Sequence, residues 1–202
     1  MSLTNFQLEE LAEKMNFPLE GCYFKDEVPD KLEYNKCYIV NLENELDENN
    51  EPNSGSHWTC FQINKYKSGV KEGIYFDPFG VIYSDKVGKI LSNHLGGKCP
   101  YVKKCVQGVM AECCGWYCAA FLHFLNSSEH RTPDFYKNVC IFLAMFDDLR
   151  DTVDFKKNEF MLKHFFRSAD PSKRIPINVD SIVAHDTPKG ASIDGDETHV
   201  DV

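Results

Sequence analysis

The chain has 202 residues, 43% hydrophobic and 13% aromatic, which suits one domain of ordinary size, or one domain with a tail, able to bury a core without staples. A formal net charge of −9 argues against non-specific nucleic-acid binding, which needs basic surface to displace counterions from phosphates. Nine cysteines behind an N-terminus that lacks the form of a secretory leader favour a reducing compartment, and the odd count leaves at least one thiol unpaired.

Taken in order, Thr4 and Gln7 have the form of a capping box, and Leu8, Leu11, Ala12 and Met15 form a helical stripe that stops at Pro18. The stretch 21–29 reads as extended or loop, and Tyr38-Ile39-Val40-Asn41-Leu42 as a strand. Residues 43–56 are acidic and rich in Asn, Pro, Gly and Ser, the composition of a mobile surface loop. From His57 to Asn64 the polarity alternates as in a strand, 65–73 is a turn, and Gly73 to Asp77 is the returning strand. His57 and Asp77 then stand at the same end of a hairpin.

Ser84 caps a predicted helix through Val87, Ile90 and Leu91; 101–106 reads as a further strand, and a loop through Gln107 and Gly108 leads to Cys114. Helices are expected over about 114–126, 134–148 and 154–167. Beyond about Ala169 the hydrophobic periodicity disappears, so 1–168 is read as the domain and 169–202 as a flexible tail. No run of about 18 apolar residues exists, so no membrane partner is expected. The cysteine spacings offer no paired C-x-x-C sets, and neither a metal site nor a cofactor is expected.

The chemistry concentrates on Cys113-Cys114-Gly115-Trp116-Tyr117-Cys118. A thiol at a helix start faces free backbone N–H groups and the positive end of the dipole, which favour thiolate, and thiolate is a nucleophile. Gly115 has no side chain to obstruct an approaching substrate. A cysteine protease also needs a histidine to carry the proton, a group to orient that histidine, and oxyanion donors. The chain offers His57, Asp77 and Gln107 for these roles, the last beside the Cys114 backbone N–H.

These pieces resemble the adenain-type viral cysteine proteases, which share a clan with the SUMO-deconjugating proteases. The likeness lies in Gly55-Ser56-His57-Trp58, in Tyr75-Phe76-Asp77-Pro78-Phe79-Gly80, and in Gln107 ahead of Cys114-Gly115-Trp116-Tyr117-Cys118-Ala119-Ala120. Residues 21–29 and 38–42 are similar to segments that open such proteases in large DNA transposons and related viruses. The resemblance spans about residues 3–127.

It implies an α+β fold, a small mixed sheet packed between helices, with the nucleophile at the N-terminus of a buried central helix. It further implies Trp58 beside the histidine as a cleft residue, with His57, Asp77, Gln107 and Cys114 as the catalytic set. The implied activity is cleavage after glycine-containing sites in viral capsid or core precursor proteins, inside the virion and the host cell. It allows a peptide activator; the charge of −9 argues against activation by DNA. A monomer is expected. Asp77 stands where adenoviral enzymes often carry Glu, as in the deconjugating and transposon branches. An isopeptidase acting on ubiquitin-like modifiers, and an idle scaffold of the same fold, remain open as alternatives.

Overall fold

A computed structural model describes residues 3–127, 132–150 and 155–168; the stretch read as a tail, 169–202, lies outside them. The first helix, α1 (Asn5–Met15), starts on the expected capping box: Gln7 N donates to Thr4 Oγ1, and Thr4 N donates to Gln7 Oε1 at 2.9 Å. It stops at Asn16, which takes a left-handed conformation at φ 54°. Its buried stripe is Leu8, Leu11, Ala12 and Met15, the four residues picked out by periodicity.

Four strands follow, β1 (Leu19–Phe24), β2 (Lys36–Asn41), β3 (Trp58–Lys65) and β4 (Lys71–Phe76), in the sheet order β1-β2-β3-β4. β1 and β2 run parallel and the other pairs antiparallel, so the sheet is small and mixed. Alternation sorts its side chains between two cores. Cys37, Ile39, Trp58, Cys60, Ile74 and Phe76 face α1, α3 (Cys114–Asn126), α4 (Phe135–Leu143) and α5 (Phe155–Ser168). Tyr38, Val40, Phe61, Ile63 and Tyr75 face α2 (Asp85–Leu95), which contributes Val87, Ile90 and Leu91. The sheet therefore lies between helices in an α+β arrangement, and α3 is buried along its length apart from His123 and Asn126. Among the described residues no helix is long and apolar enough to cross a membrane.

Two local expectations are corrected and one alternative is settled. Leu19–Phe24 is a full strand, the extended option for the start of 21–29, because β2 supplies a parallel partner for its backbone. Residues 101–106 do not form a strand. Tyr101 makes one parallel bridge to Tyr75 and Val102 N donates to Tyr75 O, but β4 ends at Phe76 before Pro78, so no ladder remains to extend. The expected helix over 134–148 stops at Leu143. Beyond it, backbone groups bond across the fold: Leu149 N donates to Cys105 O, and Asp147 N to Asn158 Oδ1.

Candidate active site

The β3–β4 ladder closes at its His57–Asp77 end with Cys60 opposite Phe76. His57 directly precedes β3 and Asp77 directly follows β4, so the hairpin delivers both to one end of the sheet. The distance between His57 Nε2 and Asp77 Oδ1 is 2.7 Å, with the acid 1% exposed and the histidine 9%. The same Oδ1 accepts from Phe79 N at 2.8 Å, locking the turn after β4. The Phe79 ring stacks on the imidazole, with centroids 4.4 Å apart and planes 20° apart. Asp77 is thus oriented by its own turn and the imidazole by Asp77 and Phe79.

The imidazole also interacts with the Cys114 side chain, which raises the His57 pKa. With Nε2 committed to Asp77, Nδ1 is the nitrogen left for the thiol. Burial pulls the His57 pKa down, but the bond to Asp77, the interaction with Cys114 and their charges outweigh it and hold it up at about 9. The ring is therefore poised as an imidazolium at neutral pH.

Cys114 is the first residue of α3, and Cys113 at the cap position offers no side-chain bond. The opening N–H groups of the helix consequently lack helical acceptors. Sγ of Cys114 accepts from the Trp58 backbone N–H at 3.4 Å, so β3 holds the sulfur as well as the histidine. Cys113 and Cys118, its neighbours in the motif, are pushed well above the ordinary thiol range, chiefly by burial.

Gln107 is buried on the loop between the two halves of the site. Its backbone N–H and that of Val106 both donate to Pro78 O, next to Asp77. Its side-chain Nε2 donates to Ala111 O, three residues before Cys114, which leaves a second N–H on that nitrogen. Asp77 Oδ2 and Gln107 Oε1 are buried without a hydrogen-bond partner.

Trp58 is buried, and its indole N–H donates to Leu3 O at 2.7 Å. The bare face of Gly115 is turned to Leu8, Leu3 and Trp58, each 3.2–3.3 Å from where a Cβ would stand. The space left by this glycine is thus filled by α1 and the N-terminal segment, and Cys114 itself is only 3% exposed. Phe79 and Leu3 escape sequence reasoning. Phe79 lies in the turn past the end of the ladder, where no strand pattern reaches, and Leu3 acts through a carbonyl and leaves no signal in residue type.

Among the described residues no group of three or more His, Cys, Asp or Glu is placed to hold a metal ion. The arrangement presents a thiol, an imidazole that interacts with it, a carboxylate bonded to the imidazole, and backbone and amide donors close by in the chain. No protein-family model matches the chain, and no curated protein matches it.

Proposed function

We propose that the protein is a cysteine endopeptidase of the adenain and ubiquitin-like-protease type, cleaving after glycine-containing sites in viral capsid or core precursor proteins. The observation that carries this reading is the imidazole of His57, hydrogen-bonded to Asp77 at 2.7 Å and interacting with the thiol that opens α3. A structural histidine needs no such pair of partners. The preference for glycine rests on the resemblance of the segments around His57, Asp77 and Cys114 to proteases of this type.

In the reaction, Cys114 Sγ attacks the scissile carbonyl carbon, the C–S bond forms and the carbonyl electron pair moves to oxygen. The oxyanion takes hydrogen bonds from the Cys114 backbone N–H and the Gln107 amide. His57 gives its proton to the leaving amine as the C–N bond breaks. It then takes a proton from the water that hydrolyses the thioester, and free thiol and acid result. Asp77 stays ionised and holds the ring in the productive tautomer.

The test is incubation of the full chain with a Gly-Gly-containing capsid precursor and, separately, with a ubiquitin-like conjugate. Precursor cleavage that Cys114→Ala abolishes supports the proposal. Cleavage of the conjugate alone replaces it with an isopeptidase, and cleavage of neither sinks the hydrolase.

A further inference from the structure

A cavity of about 650 Å³, lined by Gly55, Asn41, Tyr23, Glu27 and Glu45, meets the candidate site at Trp58. Asn41 ends β2 opposite Trp58 and is only 2% exposed. Its Oδ1 accepts from Glu43 N at 3.0 Å and Ser56 N at 3.2 Å, which fixes the orientation of the amide. Its Nδ2 has no hydrogen-bond partner among the described residues, although the side chain lines the cavity. Gly55 makes room for that nitrogen: it sits at φ +76°, and a Cβ there would stand 2.4 Å from Asn41 Nδ2. A donor held in place through its own amide oxygen and open to the cavity suits an acceptor from outside the chain.

The cavity also carries two acids and no base. Glu27 and Glu45 are both exposed along its lining, and the Glu27 carboxyl is raised, first by burial and then by the charges of Glu45 and Asp26. No lysine, arginine or histidine lines the cavity among the described residues. Two acids beside an open amide donor suit a ligand with both a carbonyl and a positive group.

We infer that this cavity is a peptide subsite, where Asn41 Nδ2 donates to a main-chain carbonyl of the substrate and the Glu27–Glu45 pair selects a lysine or arginine side chain. The inference rests on the thiol-hydrolase reading and narrows its substrate to chains with a basic residue close to the glycine site.

The experiment titrates fluorescein-labelled peptides centred on Gly-Gly, each with one Lys or one Glu placed at successive positions, into full-length Cys114→Ala and follows anisotropy. At one position Lys binds about tenfold more tightly than Glu, and in Glu27→Gln/Glu45→Gln that ratio falls to about twofold or less. Asn41→Asp, which keeps the Oδ1 acceptor and removes the donor, weakens the neutral Gly-Gly peptide while its melting temperature stays within a few degrees of the parent. Equal binding of Lys and Glu peptides everywhere, a preference that survives the double substitution, or no peptide binding at all overturns the subsite. The same peptides are offered to the wild-type chain for cleavage. Lys-selective binding without cleavage removes the hydrolase and keeps the subsite, whereas cleavage without Lys preference does the reverse.

Discussion

A single oxygen of Asp77, Oδ1, holds both the His57 ring, at 2.7 Å, and the Phe79 backbone N–H, at 2.8 Å, while Oδ2 is buried without a partner. Asparagine at this position has no good solution. Keeping Oδ1 in place buries an unsatisfied NH₂ where Oδ2 was, and turning the amide over offers Nε2 a donor and reverses the imidazole tautomer. Asp77→Asn is expected to lower kcat/KM by on the order of 10²–10⁴, with the fold retained by circular dichroism. A variant within twofold of wild type would remove Asp77 from the mechanism.

The elevated His57 pKa makes a stability prediction. Its folded value of about 9 lies above the ~6.5 of a free imidazole, so protonated His57 stabilises the folded state. That contribution, on the order of 1–3 kcal/mol, is complete below pH ~6.5 and is lost as pH rises through about 9. Urea unfolding of wild type and His57→Gln across this range should show a decline present only in wild type. Parallel profiles would mean that the ion-pair description of the site is wrong. The alkaline limb of kcat/KM should fall in the same region, where the general acid loses its proton.

Thiol labelling separates the nucleophile from its neighbours. Burial raises Cys22, Cys37, Cys60, Cys99, Cys105, Cys113 and Cys118, and Cys140 is exposed. In a Cys140→Ser background, iodoacetamide near neutral pH should modify Cys114 first, with one equivalent abolishing turnover. Simultaneous modification of several thiols, or activity surviving the first equivalent, would move the nucleophile elsewhere, with Cys113 the first suspect.

Gln107→Ala removes one amide donor and frees Ala111 O of its bond. The expected loss in kcat is about 10–1000-fold with KM nearly constant, because the donor acts on charge that develops only in the transition state. A change confined to KM would instead assign Gln107 to ground-state binding.

Gly115→Ala sets two effects of similar size against each other. Alanine gains about 1 kcal/mol of helix propensity, and overpacking against Leu8, Leu3 and Trp58 costs about 1–3 kcal/mol. The net expectation is a modest loss of stability in denaturant titration, with lower turnover because the clash falls on Trp58, whose backbone N–H holds the Cys114 sulfur. A variant of unchanged stability and turnover would show that this packing yields without moving Trp58.

Local signals were legible in the sequence, and long-range ones were not. The Thr4–Gln7 box, the hairpin from His57 to Asp77 and the apolar run of α3 each announce themselves within a few residues, and the structure has them at those positions. Residues 101–106 carry strand-like composition, yet their backbone bonds go to Tyr75, Pro78 and the loop after α4, partners that no local pattern names. The same division runs through the site. His57, Asp77 and Cys114 were marked by residue type and order; Phe79, Leu3 and Asn41 are drawn in through ring stacking, a carbonyl and an unpaired amide nitrogen.

The sulfur and the imidazole are carried by α3 and β3, the elements most completely enclosed by the rest of the chain, whereas Glu27, Glu45 and Ser54 stand on connections at the rim. Inherited change can therefore work on the two independently. A lineage can exchange the rim residues to follow a drifting substrate sequence and leave the reactive pair undisturbed, because nothing in the inner scaffold leans on their identity.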